Sequence, residues 1–169
     1  MQFDPVLIAP RLQSMTSAGY WRNQTINDVM AQALRVCPQK TAVVAYRSDQ
    51  TAPVRLSYAE LEQRVLRIAR SFTAMGVGHA DVVSFQLPNW WEFIAVSLAC
   101  ARVGAVVNPI MPIFRQRELK FMLDFGESKL LIVPKRYKGF DYEAMAREML
   151  PSLAHAPRLV VVEIGRAHV

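Results

Sequence analysis

Of the 169 residues, 52% are hydrophobic and 20% charged, with a formal net charge of +6; this composition suits one globular domain with a real core and excludes a disordered chain. Two cysteines exclude a disulfide framework or a cysteine-based zinc motif. The apolar stretch over residues 93–101 is broken by Ser97 and followed by Arg102, well short of the ~20 apolar residues that a membrane-spanning helix needs.

The opening "MQFDPVLIAPRLQS" has no basic start and no sustained apolar run, so it does not read as a secretory signal, and a cytoplasmic location is expected. The positive charge permits an anionic partner such as a nucleotide, a coenzyme, a membrane surface or a nucleic acid. Residues 1–24 keep no steady period and predict an extended N-terminal arm. Thr25 then caps a helix whose Ile26, Val29, Met30, Ala33 and Leu34 share one face, with Pro38 just beyond its end. "TAVVAYR", residues 41–47, predicts a strand, "SDQTAP" a loop, and residues 54–56 a short strand.

Ser57 and Glu60 form a capping-box pair for the next helix, whose stripe of Leu61, Val65, Ile68, Ala69, Phe72 and Met75 stops at Gly76. "DVVSFQL" predicts a strand ended by Pro88 and Asn89. Asn89 with Glu92 is expected to cap the following helix, which runs to Val103 with Gly104 in the left-handed position after it. "AVVN" predicts another short strand. A helix over residues 116–125 follows, with Leu119, Met122, Leu123 and Phe125 inward, then the strand "KLLIV", a helix over residues 142–150 and the strand "RLVVV". Helix and strand alternate, and the strands are continuous apolar runs. The fold class predicted is therefore α/β: a largely parallel sheet with helices on both faces.

Such a sheet binds ligands at the carboxyl ends of its strands, yet the residues supply no recognisable reaction. A phosphate-cradling loop needs clustered glycines; here they are dispersed, and the close pair Gly76 and Gly78 reads as a helix C-cap. Ser84 and Ser97 lie in apolar patterns without a nucleophile turn and read as structural. His79, His155 and His168 have no ligand-spaced partners, so neither a metal site nor a general base is assigned to them. The acidic residues fit caps and polar helix faces. Cys37 and Cys100 read as small core residues, and Trp90 and Trp91 as amphipathic anchors. Two basic clusters remain. Arg115, Arg117 and Lys120 read as a solvated helix face; for Lys135, Arg136 and Lys138, just after a strand, a solvated face and a ligand contact both fit.

One ordered set of motifs is more specific. "LSYAEL" at residues 56–61, the turn Gly76-Val77 into "DVV" at 81–83, "LPNWWEF" at 87–93 and "ACARVGAVVNP" at 99–109 together resemble the N-terminal part of the adenylate-forming acyl-CoA synthetases, the AMP-dependent synthetases and ligases. The similarity continues through "ELKFMLDFGESKLLIV" and covers residues 25–162. Ala80 departs from the glycine usual before the Asp. The segment "AGYWRNQTINDVMAQA" looks most like the branch that activates medium-chain, alicyclic or aryl carboxylates, such as the cyclohexanecarboxylate–CoA ligases, with fatty-acid and benzoate-type members left open.

The resemblance implies an N-terminal subdomain of the adenylate-forming ligase fold, truncated, corresponding to roughly the first third of such an enzyme. It implies a two-step reaction. A carboxylate attacks the α-phosphate of ATP, releasing pyrophosphate and leaving an acyl-adenylate; the thiol of coenzyme A then displaces AMP to give a thioester. ATP, Mg2+ and coenzyme A are the cofactors implied for the whole enzyme, and none is expected to bind tightly to this chain alone. The family's Ser/Thr/Gly-rich loop ending in Pro-Lys-Gly, its Tyr-Gly-x-Thr-Glu and Thr-Gly-Asp segments and its C-terminal lysine are absent from the 169 residues; no catalytic residue is therefore assigned, and the chain alone is expected to be inactive. By resemblance, residues 111–114 and 135–138 approach the nucleotide end of coenzyme A, with Lys135, Arg136 or Lys138 expected at its 3′-phosphate. The partners expected are a small carboxylate, ATP and coenzyme A, with no nucleic acid.

The domain organisation expected is an arm over 1–24, a partial synthetase domain over 25–163 and a foreign tail over 164–169. The tail "IGRAHV" fits no family pattern and matches what one frame of a common sequencing-adapter DNA encodes, so His168 carries no role and the chain is expected to be cut. A self-sufficient, non-catalytic α/β binding or regulatory module is the alternative.

Overall fold

A computed structural model describes residues 9–47 and 50–163; the expected foreign tail, with His168, lies outside the described residues. In chain order the elements are α1 (Ala9–Ser17), α2 (Ile26–Val36), β1 (Thr41–Ala45), β2 (Val54–Ser57), α3 (Tyr58–Ala74), β3 (Val82–Phe85), α4 (Trp91–Val103), β4 (Val106–Pro109), α5 (Gln116–Phe125), β5 (Ser128–Pro134), β6 (Arg136–Tyr137), β7 (Phe140–Asp141), α6 (Tyr142–Met149), a 3₁₀ turn (Leu150–Ser152) and β8 (Arg158–Val162).

Strands β3, β4, β5 and β8 form a parallel sheet in the order β4-β3-β5-β8. Alternation along the strands serves two cores. Val83, Phe85, Leu130 and Ile132 face the layer of α3 and α4, meeting Leu61, Val65, Phe72, Ala95 and Ala99. Leu131 and Val133 face the other layer, meeting Leu119 and Leu123 of α5 and Met145, Ala146 and Met149 of α6. Each fully buried leucine contributes about 1.5–3 kcal/mol by leaving water. Because both faces are covered, both sets must be apolar, which is why the strands read as continuous apolar runs. β1 and β2 stand apart as an antiparallel pair, so the parallel pattern holds for the central sheet only.

Local chemistry places most boundaries. Thr25 caps α2 and Ser57 caps α3, each in a reciprocal capping box, with Asp28 and Glu60 respectively. Gly104 adopts φ 72° after α4 as expected, a conformation that costs a side-chain-bearing residue about 1–2 kcal/mol.

Four expectations are corrected. The arm is not extended throughout, since Ala9–Ser17 is helical. On α2 only Met30 is buried, while Ile26 and Val29 are about half exposed. α4 is capped by neither Asn89 nor Glu92: it begins a residue later, with Trp90 in the cap position and no side-chain cap bond. Phe125 points outward, 72% exposed and stacked on Phe121 at 5.7 Å. At ~100° per residue it lies about 200° round the helix from Leu123, which is buried.

Candidate functional site

The sheet reverses direction between two neighbouring strands. From β3 the chain passes through α4, on the first face, to β4; from β4 it returns through α5, on the second face, to β5 on the far side of β3. The connections leaving the carboxyl ends of β3 and β5 therefore diverge, and they open the crevice in which doubly wound sheets bind ligands.

Residues 86–90 leave β3 on one side of that crevice, and residues 135–141 leave β5 on the other. The second segment is a hairpin of β6 and β7, turned through Lys138 at φ 46° and Gly139 at φ 77°. Two residues with positive φ in succession make the tight turn that matches strand twist, and glycine in the second position lowers its cost. The hairpin is folded back because the carbonyl of Lys135 accepts from the amides of Tyr142 (3.1 Å) and Glu143 (3.4 Å). The backbone N–H of Lys135 donates to the Val162 carbonyl at 2.9 Å.

Aromatic rings join the two sides. Trp90, 5% exposed, meets Tyr137 edge to face at 5.7 Å, and the Arg47 guanidinium lies 3.7 Å from the Trp90 ring centroid. Buried Trp90 stands in the cap position of α4, one residue past Asn89. Arg47 Nη1 is also 3.5 Å from Glu92 Oε1. Burial raises the Glu92 carboxyl above the usual range, outweighing the pull of Arg47.

The three expected site residues do come together on the hairpin, all exposed. Two already have carboxylate partners: Lys135 Nζ donates to Glu163 Oε1 at 2.8 Å, and Arg136 Nε donates to Asp141 Oδ2 at 3.1 Å. Glu163 raises the Lys135 ammonium. The Asp141 carboxyl is lowered by the Ala144 amide first, then by Arg136. Lys138 Nζ lies 5.6 Å from the Tyr137 ring centroid. Exposed ion pairs contribute only about 0–1 kcal/mol, so their carboxylates hold Lys135 and Arg136 only weakly.

The turn over residues 111–114 borders the same end of the sheet, with Met111 55% and Ile113 70% exposed. Its geometry depends on Gln86, which is fully buried one residue past β3 and donates from Nε2 to the carbonyls of Met111 and Phe114. Arg117, Lys120 and Arg115 are all exposed, as a solvated face requires, but Arg115 also makes local contacts. Its Nη1 donates to the carbonyls of Pro112 and Phe114, and its guanidinium lies 4.0 Å from the Phe140 ring centroid. Sequence reasoning passed over Gln86, Arg47 and Tyr137. Gln86 carried a signal: an amide directly after the apolar run "VVSF" must find buried partners.

Away from this end, Ser84, Ser128 and Asn108 share a buried network, with Ser84 Oγ 2.6 Å from Ser128 Oγ and Asn108 Nδ2 donating to Ser84 at 2.8 Å. Ser84 is thus structural, as expected. Burial pushes the Cys100 thiol up to about 12, which keeps it protonated and inert. Among the described residues no group of His, Cys, Asp and Glu is arranged to hold a metal ion, and no helix is long and apolar enough to cross a membrane.

The sheet and its crevice define a doubly wound α/β scaffold. Residues 30–167 match the AMP-binding enzyme family, and the chain belongs to that family. It is 35% identical over 143 residues to a 2-hydroxy-7-methoxy-5-methyl-1-naphthoate–CoA ligase of Streptomyces carzinostaticus, covering 83% of this chain and 25% of the relative. It is 37% identical over 150 residues to a salicyl-AMP ligase/salicyl-S-ArCP synthetase of Mycobacterium tuberculosis, covering 87% and 26%. A medium-chain fatty-acid–CoA ligase of Escherichia coli is 32% identical over 120 residues, covering 71% and 20%. The apo structure of MbtA from Mycobacterium smegmatis superposes with a TM-score of 0.77 at 31% identity, over 95% of this chain and 28% of that one. The fold is thereby that of the N-terminal subdomain of the adenylate-forming ligases. The chain spans about a quarter of the length of the curated relatives it matches.

Proposed function

We propose that the whole protein is an acid–thiol ligase. It activates a carboxylic acid through an acyl-adenylate, converting ATP to AMP and pyrophosphate, and passes the acyl group to the thiol of coenzyme A, in the cytoplasm where both cosubstrates are made and used. The observation that carries this reading is the match of residues 30–167 to the AMP-binding enzyme family. The cationic hairpin at the sheet's switch point supports the coenzyme part.

The present residues fit the two halves of that chemistry unequally. For coenzyme A, Lys135, Arg136 and Lys138 offer exposed cations on a constrained hairpin, and Met111 and Ile113 offer an apolar border. They would hold the 3′-phosphate and the nucleotide end. For ATP and Mg2+, the described residues bring neither a glycine-rich cradle nor a carboxylate cluster. No adenylation step is derived from them. Residues 25–163 are the scaffold and the coenzyme side of the enzyme.

The acid belongs to the aryl, alicyclic or medium-chain carboxylates. Aryl and medium-chain relatives support that range, as does the similarity of residues 18–33 to the branch that includes the cyclohexanecarboxylate ligases. A pyrophosphate-exchange panel of salicylate, benzoate, cyclohexanecarboxylate and octanoate with the whole protein tests this. Exchange with none of them overturns the acid class.

Neutralising Lys135, Arg136 and Lys138 together in the whole protein is expected to raise the KM for coenzyme A about tenfold or more. Each phosphate hydrogen bond to a charged group is worth ~1.5–3 kcal/mol. An unchanged KM removes the hairpin from the coenzyme site.

A further inference from the structure

We propose that Gln86 is a positioning residue. Its carboxamide fixes the turn over residues 111–114, and Arg115 passes that geometry to the cationic hairpin, so that the two loops present one surface to coenzyme A. This rests on the coenzyme reading above.

The first observation is the cost of the residue. Gln86 has no exposed surface, in a position where leucine or methionine would bury the same volume without desolvating an amide. Its Nε2 uses both protons on the same turn, donating to Met111 O at 3.0 Å and Phe114 O at 2.9 Å. Its Oε1 has no partner among the described residues. The position therefore requires the two donors.

The second observation is how that turn is held. Met111 and Ile113 project outward, and Phe114 packs, partly buried, against the second core. The turn's carbonyls supply its directional anchoring. Besides the two that Gln86 binds, Pro112 O accepts from Tyr142 Oη at 2.8 Å and from Arg115 Nη1 at 2.6 Å, and Phe114 O also accepts from Arg115 Nη1 at 2.9 Å. Hydrogen bonds are directional where apolar contact is not, so these donors set the orientation of the turn.

The third is continuity with the hairpin. The Arg115 guanidinium lies 4.0 Å from the ring centroid of Phe140 and 5.6 Å from that of Tyr142, and those two rings meet edge to face at 4.9 Å. Phe140 pairs with Tyr137 across β6 and β7. A connected path thus runs from the end of β3 through the turn and Arg115 to the strand pair that carries Arg136. Loss of the Gln86 donors frees Met111 and Ile113 to move relative to the cations.

The test uses the whole protein with Gln86→Met, which keeps volume and removes both donors, and Arg115→Lys, which keeps charge and removes the guanidinium. Thioester formation is measured with coenzyme A and with dephospho-coenzyme A; acid-dependent ATP–pyrophosphate exchange is measured separately. Each variant is expected to raise the KM for coenzyme A about fivefold to thirtyfold, as the loss of one or two hydrogen bonds implies, with exchange within twofold of wild type. The preference for coenzyme A over its dephospho form should shrink, a change that general loosening does not produce.

An unchanged coenzyme KM, or an equal fall in both half-reactions, overturns the proposal. Arg115→Lys carries the test if Gln86→Met does not fold. The variant with Lys135, Arg136 and Lys138 neutralised is run in parallel. If it weakens coenzyme binding while the other two do not, positioning alone fails. If it too has no effect, or wild type forms no thioester with coenzyme A, the coenzyme reading fails and this proposal with it.

Discussion

Ala80 sits at φ 64°, in the left-handed region, with its amide donating to the Gly104 carbonyl at 2.9 Å. An alanine there pays about 1–2 kcal/mol in backbone strain, partly offset because glycine loses more freedom on folding. Ala80→Gly is therefore expected to stabilise the domain by about 0.5–1 kcal/mol, read from the urea midpoint. Its neighbour Asp81 accepts from Lys129 Nζ and from the Gly78 amide, both at 2.8 Å. Lys129 first, and Gly78 after it, hold the carboxyl below the usual range against the opposing effect of burial. A lowered folded value means that the contribution is complete above the unfolded aspartate range, near ~3.9, and is lost as pH falls through the still lower folded value. Asp81→Asn should cost ~0.2–1 kcal/mol at pH 7, the range for a partly exposed pair, and the gap from wild type should close towards pH 3. A gap that widens on acidification contradicts the assignment.

Among the elements, α3 and α4 test what capping does. Ser57 Oγ accepts from the Glu60 amide at 3.2 Å, and Glu60 Oε2 accepts from the Ser57 amide at 2.8 Å. Ser57→Ala is expected to cost about 1 kcal/mol, whereas Asn89→Ala, which removes no cap bond, should stay within ~0.5 kcal/mol. Chemical denaturation of the two variants decides it; equal losses would mean that Asn89 caps α4 after all. The contrast also says what was legible. Ser57 and Glu60 are three residues apart and satisfy each other locally, so the sequence reveals them. Asn89 has the same local signature with Glu92, but Trp90 stands in the cap position with its indole against Tyr137 and Arg47, and the Glu92 carboxylate lies beside Arg47. The outward Phe125 has another reason: it is apolar but lies two residues past buried Leu123, and the helical period puts it outside.

For the molecule as a whole, the sheet's outer strands β4 and β8 have no further strand paired to them among the described residues. Phe121, Phe125 and Val36 are each more than half exposed. Edges and apolar surface of this kind are usually covered, in keeping with a chain that spans a quarter of its relatives. The purified 169-residue chain is expected to give no carboxylate-dependent ATP–pyrophosphate exchange. Exchange above a no-acid control would mean that adenylation donors lie within these residues.

The sequence by itself determined the α/β class, most helix boundaries and the family, because caps, periods and ordered motifs are written over a few residues at a time. It also brought Lys135, Arg136 and Lys138 to one loop, since they are neighbours in the chain. Only the tertiary structure decided the strand order, the separate β1-β2 pair, and which polar groups meet at the crevice. Gln86 reaches carbonyls 25 and 28 residues away, and Trp90 meets a ring on another strand's exit. Such contacts depend on how two faces of a sheet are filled, and no local pattern encodes that.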